Sequence, residues 1–135
     1  MLAARYAYAT LAWLFVAGVL TQAFLAGAGL FKWTTMAPHA AFGYGVTLLP
    51  ALMLVLAHPA RLDRRTVLLN FAMFFMATIL QPSLAYARED APVIAALHPV
   101  NALLLFALGI VVARRSMRLV RASHRVRAMR RAHAT

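Results

Sequence analysis

The chain contains no cysteine, which excludes disulfides, thiolate metal sites and cysteine nucleophiles. Acidic residues are nearly as scarce: Asp63, Glu89 and Asp90 stand against fourteen Lys and Arg. Charge is missing altogether from four long stretches, Tyr8 to Phe31, Ala40 to Ala57, Thr66 to Tyr86 and Val93 to Ala113. Without a carboxylate in any of them, a proton pathway or cation carrier of the usual acidic type has no group to run on. Nucleotide-binding loops, zinc-binding helix motifs and a serine-histidine-acid set are also lacking. Gly43 and Gly45 form a Gly-x-Gly inside an apolar helix, not a phosphate loop.

What is present is hydrophobicity, at 64% of residues against roughly 45–50% in a soluble domain. A helix needs about 20 apolar residues to cross about 30 Å of hydrocarbon, and each of the four stretches is close to that length. The expected fold is therefore all-α, a four-helix transmembrane bundle over residues 1–113, followed by a basic tail over 114–135. Arg5, Arg61, Arg64 and Arg65 fall on one side of these crossings. So do Arg114, Arg115, Arg118, Arg121, Arg125, Arg127, Arg130 and Arg131. Only Lys32 and Arg88 fall on the other side. This asymmetry is expected to put both termini in the cytoplasm, with the low-charge loops facing the periplasm or the cell exterior. The first apolar run is too long for a signal-peptide core and reads as a retained anchor.

Each span carries one face of small or polar residues. Gly18, Gln22, Ala26 and Gly29 share a face of the first, and His39, Gly43, Val46 and Pro50 share one of the second. Asn70, Phe74, Thr78 and Gln81 line the third, and His98, Asn101, Ala102 and Leu105 line the fourth. Pro38 suits a first helical turn, Pro50 should bend the second helix, and His58-Pro59 should close it. Asp90 is the expected N-cap of the fourth helix; a start at Pro99 would leave Val93 to Leu97 as an interfacial hook. Gln22 and Asn70 are expected to make interhelical hydrogen bonds.

His39 and His98 begin the two helices that run inward, so their first turns share the outer membrane level. Two imidazoles on separate helices of a bundle can ligate a haem iron from opposite sides. Gly43 and Ala102 would thin the walls beside a porphyrin, Gln81 and Asn101 would orient an imidazole, and Lys32 and Arg88 would meet propionates. Against this stand two ordinary roles, an interfacial His39 and a His98 that caps carbonyls freed by Pro99. His98, Gln81 and Asn101 are also a possible hydrogen-bonding set for a quinone. The tail suits anionic lipid, and its first turns suit an interfacial helix. Nucleic acid is not an expected partner, since the tail has no aromatics or fold signature. A membrane redox partner or a homo-oligomer fits the chain, as does a non-catalytic accessory or assembly subunit.

Pro38-His39 with Gly43, Gln81 with Leu84 and Ala85, and Leu97-His98-Pro99-Val100-Asn101-Ala102 resemble an uncharacterised family of small bacterial four-helix membrane proteins. The resemblance covers about residues 8 to 115 and implies no function. The layout is more distantly similar to one half of a haem A synthase, with a histidine on the second helix, a glutamine late in the third and a histidine on the fourth. That likeness implies haem b ligation by His39 and His98. Pro38 stands where the synthase pattern has an acidic residue, and the second half is lacking, so it implies haem binding without synthase catalysis.

Overall fold

The structure is a computed structural model describing residues 1–133; the last two residues of the tail and the side chain of Arg130 lie outside the described residues. Six α-helices and one π-helical turn follow in order, with no strand among the described residues. They are α1 (Leu2–Leu30), α2 (Ala37–Ala60), α3 (Arg64–Phe75), the π turn (Met76–Leu80), α4 (Gln81–Tyr86), α5 (Pro92–Ala95) and α6 (Leu97–Ala132). From α3 to α4 the backbone is one continuous span, Arg64–Tyr86. With α1, α2 and α6 this makes four helices long and apolar enough to cross a membrane, as a multi-pass membrane protein requires. Leu48, Leu52, Val55, Leu103 and Leu104 point outward, an exterior suited to lipid and not to water.

Around the bundle, α1 packs on α2 and α6, and the third span packs on the same two helices. The ring order is thus α1, α2, α3, α6, and α2 stands diagonally across from α6. Tyr8, Phe15, Met53, Met73 and Val112 fill the core. Small residues set the helix spacing: a Cβ on Gly109 would lie 3.1 Å from both Phe15 and Val16, and one on Gly18 would lie 2.9 Å from Val46. The glycines let neighbouring side chains pack directly on the helix backbone, the van der Waals contact that drives helix association in lipid.

The two hairpins, α1–α2 and α3–α6, repeat one another. Buried Tyr8, Ala12 and Phe15 have buried counterparts in Thr66, Asn70 and Met73, each 58 positions later. From the π turn onward the offset is 59: Gly18 matches Ala77, Val46 matches Leu105, Pro50 matches Gly109, Met53 matches Val112 and Ala57 matches Ser116. A π turn adds one residue to a helix, which accounts for the change of register. Pro82 explains its place. Its ring and missing N–H disturb the turn before it, and the Gln81 N–H reaches back five residues to the Met76 carbonyl.

Several sequence-based boundaries move. The first helix begins at Leu2, and the second runs on through buried Pro50 and through Pro59 to Ala60, so His58-Pro59 does not close it. Arg61 ends it instead, in the left-handed region at φ 51°, with Arg61 N–H on His58 O and Leu62 N–H on Ala57 O. That is the Schellman pattern. Asp90 caps nothing: Ala91 precedes α5 without a side-chain cap, and α6 starts at Leu97. The tail is not a separate interfacial helix, because α6 continues unbroken through the arginines to Ala132. Buried Ser116, Val120 and Ser123 keep one face of that extension against the bundle.

Two arginines at this end are structural struts. Arg5 donates through Nε to Ala60 O (2.9 Å) and through Nη1 to Ser123 Oγ (2.6 Å), tying α1 to the C-terminus of α2 and to α6. Arg115 donates to Asp63 Oδ1 (2.9 Å) and Thr66 Oγ1 (3.0 Å), tying α6 to the N-terminus of α3. Asp63 is the true N-cap, accepting from Thr66 N–H at 3.1 Å and from the Thr66 hydroxyl at 2.6 Å. That hydroxyl, the Thr66 N–H and the Arg115 guanidinium hold the Asp63 carboxyl below the usual carboxylate range, against a smaller opposing effect of burial. A depressed folded-state value contributes stability above the unfolded pKa, and that contribution disappears as pH falls through the folded one. Asp63→Ala is expected to cost about 0.5–2 kcal/mol at neutral pH in detergent unfolding. The gap to wild type should close as the pH falls below about 4; a gap independent of pH would contradict the assignment.

Candidate functional site

The end of the bundle opposite the arginine struts holds the polar side chains that the sequence singled out. Pro38 lies in the first turn of α2, where its missing N–H costs nothing, and it brings His39 to the helix start. His98 occupies the first turn of α6 in the same way. Diagonal placement carries the two side chains toward each other, and their ring centroids lie 6.2 Å apart at an interplanar angle of 63°. Both are half-buried, so His39 is not simply a residue facing water.

Each imidazole is fixed through Nδ1 by a carbonyl of its own hairpin. His39 Nδ1 lies 3.1 Å from Gln22 O, and His98 Nδ1 lies 3.0 Å from Gln81 O; both pairs are 17 residues apart in sequence. A carbonyl only accepts, so both Nδ1 atoms carry a proton, and in the neutral ring Nε2 then presents a lone pair. This is the tautomer that a metal-ligating histidine needs when its second nitrogen is oriented by a neighbour. Among the described residues no hydrogen bond engages His39 Nε2. His98 Nε2 lies 3.1 Å from Gln81 Nε2, whose amide donates to it. Asn101 Nδ2 donates to Gln81 Oε1 (2.6 Å) and to Met76 O (3.2 Å), linking the set to the π turn.

Gly43 sits one turn beyond His39 and gives room to the Gln22 amide, whose Nε2 would lie 2.5 Å from a Cβ there. Ala102, its counterpart in the second hairpin, is half-buried. Lys32 is exposed with φ 60°, and Arg88 is paired with Glu89 at 3.6 Å, both side chains largely exposed. The expected interhelical hydrogen bonds of Gln22 and Asn70 do not form: Gln22 Oε1 and both amide atoms of Asn70 are buried without a protein partner. Asn101 Oδ1 is buried and unpartnered as well. No cluster of three or more His, Cys, Asp or Glu occurs among the described residues. The role of the Gln22 carbonyl was missed by sequence reasoning; the equal spacing from Gln22 to His39 and from Gln81 to His98 was the available signal.

Residues 22–88 match a family of unknown function (DUF6220), a segment that includes Gln22, His39, Gly43 and Gln81 but stops short of His98. This is consistent with the uncharacterised family expected over residues 8 to 115, over that shorter range and without the stretch from Leu97 to Ala102. No curated protein and no solved structure matches the chain. Asn101→Leu should strip Gln81 Oε1 and Met76 O of a donor and destabilise the bundle by roughly 1–3 kcal/mol. Equal unfolding midpoints for variant and wild type would show that this network contributes nothing.

Proposed function

We propose that this protein is a multi-pass bacterial inner-membrane protein that holds a b-type haem between His39 and His98, for electron transfer or haem handling. The supporting observation is the imidazole pair itself. Two imidazoles brought together from separate helices of one bundle are the donor set that would hold a haem iron. The observed separation is 6.2 Å, with both Nδ1 atoms already held by carbonyls. Two protein donors would suffice, because haem brings its own ligands to the iron, so the lack of a three-residue cluster among the described residues does not count against it.

In this reading His39 and His98 would hold the haem iron, and the carbonyls of Gln22 and Gln81 would set the orientation and basicity of the rings. Gly43 and Ala102 keep the neighbouring walls low, and Asn101 holds Gln81. Bound haem supplies reversible one-electron chemistry. Cytoplasmic termini follow from the arginine asymmetry. On α6, exposed Arg114, Arg118, Arg121 and Arg125 lie on one stripe turned away from the buried face, suited to anionic headgroups near the membrane surface. A rival reading as an accessory subunit with purely structural histidines is favoured by one observation, the closed hydrogen-bond set of Gln81, His98 and Asn101.

Oxidised and dithionite-reduced visible spectra of the detergent-purified protein from haem-sufficient cells separate the two. A b-type spectrum of a low-spin iron, lost in both His39→Ala and His98→Ala, is the expected result. A folded, colourless protein that takes up no haem on reconstitution would leave the structural role standing.

A further inference from the structure

The internal repeat makes the two histidines equivalent, and that equivalence breaks at a single atom. His39 and His98 are 59 positions apart, as are Gln22 and Gln81, and each histidine donates Nδ1–H to the carbonyl of its own glutamine. In the second hairpin the Gln81 side chain then turns back on the ring and donates to the Nε2 lone pair at 3.1 Å. It is held there because Asn101 Nδ2 donates to its Oε1 at 2.6 Å while also bonding the Met76 carbonyl of the π turn. In the first hairpin, Phe42 stands where the repeat has Asn101, and it faces outward. Nothing holds Gln22 in the matching position; its amide packs against Gly43, and His39 Nε2 has no hydrogen-bond partner among the described residues.

From this asymmetry we infer that Gln81 is a latch on His98, a positioning residue whose carboxamide occupies the Nε2 through which His98 would hold haem. The inference rests on the haem reading above and specifies an order of loading. His39, whose Nε2 is unengaged, would be open to haem first, and His98 only once the Gln81 amide has let go. The π turn and Asn101 set the strength of the latch, since they fix where Gln81 points.

Stopped-flow mixing of detergent-purified apoprotein with ferric haem tests it directly. Wild type should show a high-spin spectrum first and conversion to low spin in a second, slower phase. Gln81→Leu removes the donor and should speed the second phase about threefold to tenfold, the effect expected from one lost neutral hydrogen bond. Gln81→Asn, too short to reach Nε2, should do the same and serves if the leucine variant fails to fold. His98→Ala should stop at the high-spin spectrum, while His39→Ala should bind haem only as slowly as the latch opens. Low-spin formation at the wild-type rate, or slower, in both Gln81 variants would overturn the latch and leave the haem reading intact. Failure of every variant and of wild type to take up haem would overturn both.

Discussion

Two bonds from imidazole Nδ1–H to backbone carbonyl organise the polar end of this bundle. A membrane interior offers no water to a polar group, so each one must find its partner within the protein. Gln22 O and Gln81 O each accept a second hydrogen bond in addition to any helical one, and in doing so fix a histidine of the neighbouring helix. The ring tautomer, the presentation of Nε2 and the meeting of the two rings across the bundle all follow from these bonds. Without them His39 and His98 would be two polar residues at helix starts, free to turn to the membrane surface.

The repeat gives this arrangement its symmetry, and Asn101, which stands where the first hairpin has Phe42 and is anchored on the π turn, gives it its departure from symmetry. Pro82 alters the hydrogen bonding of the turn before it, and Asn101 bonds both the Met76 carbonyl of that turn and Gln81 Oε1, so that Gln81 faces His98 with its side chain as well as its carbonyl. At the opposite end the restraints are ionic, with Arg5 and Arg115 joining the helix ends to α6. The two ends are separated by an apolar layer of Phe15, Met53, Met73 and Leu105. Tyr8 Oη and the Asn70 amide are buried beyond that layer without protein partners, and nothing in the structure accounts for them.

The spans were legible in the sequence because lipid excludes charge, and uncharged runs of this length have few other uses. The buried faces were legible too, since small and polar residues at helical spacing have to point inward. The helix ends were not. Arg5 reads as a flanking charge but lies within α1, paid for by a carbonyl and a serine on two other helices. The arginines from Arg114 onward read as a tail, yet Ser116, Val120 and Ser123 interleave with them as a buried stripe that carries α6 onward. Asp63 rather than Asp90 became the cap because Thr66 three residues later returns a hydroxyl and an N–H to it. At the site, the shared level of His39 and His98 followed from counting crossings. Their diagonal placement depended on ring order, which periodicity does not encode.

The tautomer of the two imidazoles is the most direct measure of the organising bonds. Nitrogen-15 spectra of histidine-labelled ligand-free protein in lipid should show His39 and His98 both protonated at Nδ1, each with an unprotonated Nε2, and a through-space contact between the two rings. Protonation of either ring at Nε2, or the absence of any contact between them, would contradict the arrangement on which the site is built.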